Sequence, residues 1–216
     1  MESKISPTVR EFGFWSALLA SLFSIFYIIG QLAEWFGWLG SGGGPESPST
    51  VLGLIVLLTP SLFLGTSFLL LIVSIHYAAP VERKIWSHAG VVFATIYTAL
   101  ISINYFVQLT FVVPHLVRGE VEGIRPFLFT PFDSFLYAVD ILGYSFMSLA
   151  TLFAAFVFTG RGLERIARRF MIANGFLVPF LLLQNYYHPL LWLASFWAIT
   201  FPGATISLAL IFRRKA

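Results

Sequence analysis

Residues 51–79 read VLGLIVLLTPSLFLGTSFLLLIVSIHYAA and contain no Asp, Glu, Lys or Arg. A helix needs about 20 apolar residues to cross the hydrocarbon core of a bilayer, and this stretch is longer than that. Its length and hydropathy therefore predict a membrane-spanning helix. Similar stretches recur along the rest of the chain, and together they decide the class of the protein.

The composition is typical of a membrane protein rather than a soluble one. Of the 216 residues, 58% are hydrophobic and only 11% are charged, whereas soluble domains carry roughly 25% charged residues. The net charge of +3 does not indicate a nucleic-acid partner, because the basic residues flank apolar stretches and form no stripe with stacking aromatic residues. The absence of cysteine excludes disulfides, thiolate nucleophiles and cysteine-ligated zinc.

Six apolar stretches are long enough, or nearly long enough, to cross a bilayer. We predict an all-α, polytopic membrane protein with six transmembrane helices, which form a single transmembrane domain over residues 1–216. The predicted spans are TM1, 14–39; TM2, 51–79; TM3, 85–113; TM4, 132–159; TM5, 170–186; and TM6, 190–212. Polar connections separate them, such as GSGGGPESPST at 40–50 and the basic segment GRGLERIARR at 160–169.

The Lys and Arg residues fall in alternate connections between these spans. Eleven of the thirteen lie in the N-terminal segment, the second and fourth connections and the C-terminal segment, and only Arg118 and Arg125 lie elsewhere. Cytoplasmic loops of membrane proteins are enriched in Lys and Arg. Both termini are therefore predicted to be cytoplasmic (N-in/C-in), and the cell membrane is the predicted location.

Polar residues in several spans recur at spacings of three and four, which places them on one helix face. These faces are Ser24, Tyr27, Gln31 and Glu34 in TM1; Tyr97, Asn104, Gln108 and His115 in TM3; and Asp133, Tyr137, Asp140 and Tyr144 in TM4. With both termini cytoplasmic, most of their acid and amide groups fall in the outer half of the membrane. We therefore predict a polar pocket between the helices that opens to the outside.

Asp140 and Glu34 are the most informative residues of this set. A carboxylate within hydrocarbon costs at least about 2.5–3.5 kcal/mol, so it must be protonated, paired or exposed to a wet cavity. Both are candidates for ligand contact, and they are candidate catalytic groups together with His115. The alternative is a buried carboxyl that hydrogen-bonds a neighbouring helix. The full set of predicted ligand-binding residues is Asp140, Glu34, Gln31, Asn104, Gln108, Tyr137, Tyr144, Asp133, Gln184 and Asn185.

No local motif indicates a metal or a cofactor. His115 and His188 are candidate metal ligands near the outer surface, but no H-E-x-x-H or comparable spacing accompanies them, and no metal site is predicted. The sequence identifies no cofactor, and it does not predict the oligomeric state.

Three functions remain compatible with these patterns. The first is the binding of a small or amphiphilic ligand in the outward-facing pocket, for transport or sensing. The second is an enzyme that acts on a lipid or isoprenoid, with Asp140 or Glu34 as general acid or base and a histidine as partner. The third is a structural or assembly subunit, in which the polar faces only join helices to one another. The lipid bilayer is the one partner common to all three.

Overall fold

We analysed the protein in a computed structural model that describes residues 6–44, 47–48, 50–129 and 134–214. Of these residues, 82% are helical, and none lies in a strand. The α-helices are α1, Pro7–Trp35; α2, Val51–Ala78; α3, Lys84–Val107; α4, Val113–Val117; α5, Phe135–Ala155; α6, Leu163–Gly175; α7, Val178–Leu183; α8, Leu191–Ala194; and α9, Trp197–Arg214. Short 3₁₀ turns at Val81–Arg83, Glu122–Phe127 and His188–Leu190 and a π-turn at Gln108–Val112 join some of them.

Six helical units are long and apolar enough to cross a membrane. They are Pro7–Trp35, Val51–Ala78, Val81–Val117, Phe135–Ala155, Leu163–Leu183 and His188–Arg214. The prediction of an all-α chain with six membrane-spanning helices is therefore confirmed at that level, and the chain is suited to be a multi-pass membrane protein.

The six units form a closed ring in chain order. α1 packs on α2, α2 on α3, α3 on α5, α5 on α6, α6 on α9, and α9 returns to α1. Large side chains without solvent exposure fill the middle of the ring, including Phe68, Tyr97, Met147 and Phe201. Phe68 contacts both Tyr97 and Phe201, with ring centroids 5.6 and 5.5 Å apart, so the centre of the ring is packed rather than open.

The two ends of the bundle differ in character. At one end, the Arg83 guanidinium donates a hydrogen bond to the Val157 carbonyl at 3.2 Å, which joins the second connection to the fourth. We call this the basic end. The opposite end holds the first connection, the third connection and the turn before α8, and we call it the distal end.

Serine and threonine caps set the start of three spanning helices. The side-chain oxygens of Ser6, Thr50 and Ser134 accept the backbone N–H groups of Val9, Gly53 and Tyr137 at 3.2, 3.0 and 3.0 Å. Such caps satisfy amide groups that a helix start leaves unpaired. For this reason α1 begins at Pro7 rather than at Phe14, and α5 begins at Phe135 rather than at Phe132.

The first helix ends earlier than the predicted 14–39 span, because a glycine terminates it. Gly37 adopts a positive φ of 72°, a conformation that glycine tolerates best, and its N–H bonds the Glu34 carbonyl. Helix α1 therefore ends at Trp35. This termination leaves Glu34 in the last turn of the helix, at the distal end of the ring.

The fifth span differs most from its predicted bounds. Helical structure begins at Leu163 rather than at Phe170, so most of the basic segment is helix and not loop. The side chains of Arg165 and Arg169 are exposed on this helix, while Ala167 is buried. The span then breaks after Gly175 and resumes at α7, where Pro179 occupies the first turn, a position that does not require a backbone N–H.

Candidate functional site

A cavity of about 340 Å³ opens at the distal end of the ring. Residues of α1, α2, α5, α7, α8 and α9 line it, and Gly44 and Ser47 of the first connection border it. Its volume is at the lower end of the range found for small-molecule sites. Most of its wall is apolar, as in those sites, with a few polar groups between the apolar side chains.

The ring brings six of the predicted ligand-binding residues to this one cavity. They are Gln31, Glu34, Tyr137, Asp140, Tyr144 and Gln184. The helical spacing accounts for this convergence, because each set lies on one face of its helix and the ring turns those faces inward. The six residues share one cavity, and their role in ligand binding stays a prediction.

Asp140 lies in the wall of the cavity on α5 and is only 4% exposed. The Tyr105 hydroxyl lies against its carboxyl group. The Asn104 amide approaches Asp140 Oδ1 at 3.5 Å, but it makes its shorter bond, 3.0 Å, to the Leu136 carbonyl. Asp140 therefore has neutral hydrogen-bond donors around it, and no Lys or Arg among the described residues lines the cavity beside it.

Tyrosines and glutamines connect the helices around the cavity. The Tyr27 hydroxyl donates to Gln31 Oε1 and the Tyr137 hydroxyl donates to Gln184 Oε1, both at 3.3 Å. A third hydroxyl, of Tyr105, donates to that of Tyr144 at 3.2 Å. The first bond lies within α1, whereas the second joins α5 to the end of α7 and the third joins α3 to α5.

Glu34 is held against α2 by a close approach to Gly53. A Cβ built at Gly53 would lie 2.8 Å from Glu34 Cδ, so only glycine leaves room for the carboxyl group there. Glu34 is 4% exposed, and neither of its carboxyl oxygens has a hydrogen-bond partner among the described residues. The Ser41 hydroxyl donates to the Glu34 backbone carbonyl at 3.0 Å, and this hydroxyl and the Thr50 backbone lie close to the Glu34 carboxyl group.

Two buried donors at the cavity also lack partners within the described part of the chain. They are Gln184 Nε2, on a side chain that is 2% exposed, and Trp197 Nε1, on one that is 6% exposed. Buried polar groups are nearly always hydrogen-bonded in native proteins. Unsatisfied acceptors on Glu34 and unsatisfied donors on Gln184 and Trp197 therefore lie on residues that line the cavity, while Tyr97, Asn104 and Gln108, outside its lining, also carry buried atoms without partners among the described residues.

Three predicted ligand-binding residues in the described part of the chain do not line the cavity. Asn104 is buried behind Asp140, and Gln108 is buried with its amide donating to the Phe127 carbonyl at 2.6 Å. Asn185 is exposed and bonds the Leu182 carbonyl within its own turn. Asp133 lies outside the described residues.

The two distal histidines are not part of the cavity wall. His115 Nδ1 donates to the Phe111 carbonyl at 2.7 Å, and its Nε2 lies 3.8 Å from Glu120, whose pKa is lowered by the Arg118 guanidinium. His188 lies in the turn before α8. Among the described residues, no three His, Asp or Glu side chains come together as metal ligands. Neither histidine is among the residues that line the cavity with Glu34 and Asp140.

Several aromatic residues of the cavity were not among the predicted site residues. Tyr27, Trp35, Phe129 and Trp197 all line it. Trp197 meets Tyr27 and Tyr144 edge to face, with centroids 5.8 and 5.4 Å apart. A search for polar residues passes over Trp197. Its spacing from Ala194 and Phe201, which places all three on one inward face, is the signal that would have found it.

Comparison with known proteins identified no relative of this chain. The chain matches no protein family, no curated protein and no solved structure.

Proposed function

We propose that this chain is a multi-pass membrane protein that binds a small amphiphilic molecule in the distal cavity, for transport or sensing. The observation that carries the proposal is the coincidence of a cavity with buried polar groups that lack partners, namely Glu34, Gln184 and Trp197. A purely structural subunit would pair these groups between helices, because an unsatisfied polar group is costly within a membrane. A ligand with an apolar body and a polar head satisfies both parts of the wall.

We further propose that the cavity opens to the outside of the cell membrane and that both termini are cytoplasmic. The distribution of Lys and Arg supports this orientation. Because the chain has no cysteine, single cysteines can report it. Cysteine at Ser47 should react with an impermeant maleimide added to intact cells, and cysteine at Arg161 should react only after lysis.

The binding proposal is tested by filling the cavity. Ala194 lines the cavity and is 4% exposed. Its replacement by phenylalanine should displace the ligand by occupying the same space. The matched control is Ala138→Phe, since Ala138 is exposed on α5 and does not line the cavity.

Native mass spectrometry of protein released from a mild detergent gives the readout. We expect a bound small-molecule mass on the wild-type chain and on Ala138→Phe, and a bare chain for Ala194→Phe. The same mass on all three proteins would place the bound molecule outside the cavity. A bare wild-type chain, together with a lower thermal stability of Ala194→Phe than of Ala138→Phe, would favour the structural-subunit hypothesis, because phenylalanine would then overpack the helix contacts.

A further inference from the structure

The charge of the cavity wall limits what the cavity can hold. Among the described residues, the only formally charged side chains that line it are the acids Glu34 and Asp140, and no Lys, Arg or His lines it. An anionic head, such as a carboxylate or phosphate, would therefore meet two acids and no base. Buried charges require an opposite charge or dense hydrogen bonding, so an anion is disfavoured here.

A small metal ion is an equally poor match. Hard divalent cations take six or more oxygen ligands in most protein sites. The described residues contain no cluster of three or more His, Asp or Glu side chains, and the wall of the cavity is largely apolar. A neutral head without a donor would leave both oxygens of Glu34 unpaired.

The aromatic wall favours an organic cation. Tyr27, Tyr144 and Trp197 meet in one cluster, with ring centroids 5.4 to 6.5 Å apart, and Trp35 and Tyr137 extend the same wall. Tryptophan and tyrosine rings attract ammonium groups through their quadrupoles, most strongly where water is excluded. A wall that combines such rings with two buried acids has the chemistry that recognises amines and quaternary ammonium groups.

We infer that the ligand of the distal cavity is a lipophilic organic cation, an amine or quaternary ammonium compound whose nitrogen lies between the acids Glu34 and Asp140. This inference rests on the proposed binding function and names its ligand class. It has a second support that does not depend on the acids: Gln184, which is 2% exposed and lines the same cavity, carries a buried N–H group without a partner among the described residues. An oxygen acceptor on the ligand, such as an ether or carbonyl, would bond this amide and the Trp197 indole. Leu54, Leu57 and Ile141 would cover the apolar part of the molecule.

A pair of probes that differ only in charge tests the inference. Phenylpropyltrimethylammonium is compared with its neutral isostere, in which carbon replaces the quaternary nitrogen. Binding is measured by equilibrium dialysis against the intact protein in a neutral maltoside detergent, so that surface charge of a lipid does not contribute.

The variants are Glu34→Gln and Asp140→Asn. The matched control is Glu122→Gln, which removes an exposed carboxyl at the same end of the bundle. Each variant is first checked for a single folded species by gel filtration.

We expect the cation to bind at least about tenfold more tightly than the isostere, as desolvated cation–π contacts and a buried opposite charge allow. Glu34→Gln should remove most of that preference and leave the affinity for the isostere unchanged, while Glu122→Gln should change neither. Should one acid variant fail to fold, the other supplies the same comparison. The wild-type protein alone still shows whether the cation binds more tightly than the isostere.

Equal binding of the two probes, both displaced by Ala194→Phe, would overturn the cation inference and leave the proposed binding function standing. No binding of either probe, together with no bound mass on the purified chain, would overturn both.

Discussion

Two polar regions lie inside this ring of helices, and they differ in how completely their groups are paired. The first, which we call the Asn174 cluster, consists of Ser148, Thr151, Asn174 and Thr200, and it joins α5, α6 and α9. The second is the distal cavity. In the Asn174 cluster, the amide donates to Thr151 at 3.0 Å and accepts from Thr200 at 2.9 Å. At the distal cavity, Glu34, Gln184 and Trp197 all retain buried atoms without partners among the described residues.

The difference separates polar residues that are paired between helices from polar residues with unpartnered atoms, which the proposed ligand would bind. Asn174 is fully buried, and none of its polar atoms is left over. Its position in an apolar span is explained by hydrogen bonds between helices alone. Glu34 and Gln184 are buried to nearly the same extent, but both carboxyl oxygens of Glu34 and the Nε2 atom of Gln184 lack a partner within the described protein. Stability should therefore depend on the first region and ligand binding on the second.

The largest expected effect on stability is that of Asn174→Leu. This change keeps a similar side-chain volume and removes both hydrogen bonds, leaving the hydroxyls of Thr151 and Thr200 without their shared partner. We expect the free energy of unfolding to fall by about 2 kcal/mol, since single interhelical bonds in membranes contribute up to about 1.7 kcal/mol. Unfolding with sodium dodecyl sulfate in neutral micelles measures it.

Asn185→Leu is the matched control for that experiment. Asn185 lies near the distal end of the same span, is exposed and bonds only the Leu182 carbonyl within its own turn. Its replacement should change the free energy of unfolding by no more than about 0.5 kcal/mol. Equal losses in the two variants would mean that any polar-to-apolar change lowers stability, and the Asn174 cluster would lose its special role.

A smaller effect is expected from Gly53→Ala, which reaches the cavity indirectly. The added methyl group would meet the Glu34 carboxyl, so Glu34 must shift, at a cost of about 1 kcal/mol in the free energy of unfolding. The affinity for phenylpropyltrimethylammonium should fall with it. Both effects should disappear when Glu34 is alanine, because the two residues then no longer contact each other.

Gly65→Ala provides the comparison within the same helix. A Cβ at Gly65 would meet Thr98 Cγ2 at 3.7 Å, which is an ordinary contact. Alanine is also the better helix former by about 1 kcal/mol, so this variant should be as stable as wild type or more so. A loss at Gly65 as large as that at Gly53 would show that α2 requires glycine for reasons unrelated to Glu34.

The fold was predictable from the sequence because hydropathy acts over long stretches. The apolar stretch at 51–79 leaves no structure but a spanning helix, and the structure places a helix at Val51–Ala78. The bounds of other spans depend on local chemistry that hydropathy does not report. Gly37 ends α1 before Trp38, and good helix-forming residues such as Leu163 and Ala167 carry α6 into the basic segment.

The site was predictable only in part, because it depends on how the helices pack against one another in the ring. Helical spacing placed Tyr137, Asp140 and Tyr144 on one face of α5, and all three line the cavity. The spacing does not indicate whether residues of a neighbouring helix cover an inward face and separate it from the cavity. Asn104 is on the inward face of α3 yet sits behind Asp140, and Trp197 enters the cavity from α9, a helix without a polar stripe.

The smallest expected effect on stability is that of Glu34→Gln, and it is the most direct test of the contrast between the two regions. The carboxyl oxygens of Glu34 make no hydrogen bond with the described residues, so glutamine forfeits no bond that the folded protein makes. Glutamine also has no charge to desolvate, and a buried charge within the membrane is costly. We expect the free energy of unfolding without ligand to stay within about 0.5 kcal/mol of wild type or to rise, as measured by the same detergent unfolding. A loss as large as that of Asn174→Leu would mean that Glu34 is paired in the folded protein. The polar face of α1 would then be structural in the same sense as the Asn174 cluster. An unchanged stability combined with lost cation binding separates the two regions, because a buried residue that contributes to binding and not to stability cannot be explained by pairing between helices.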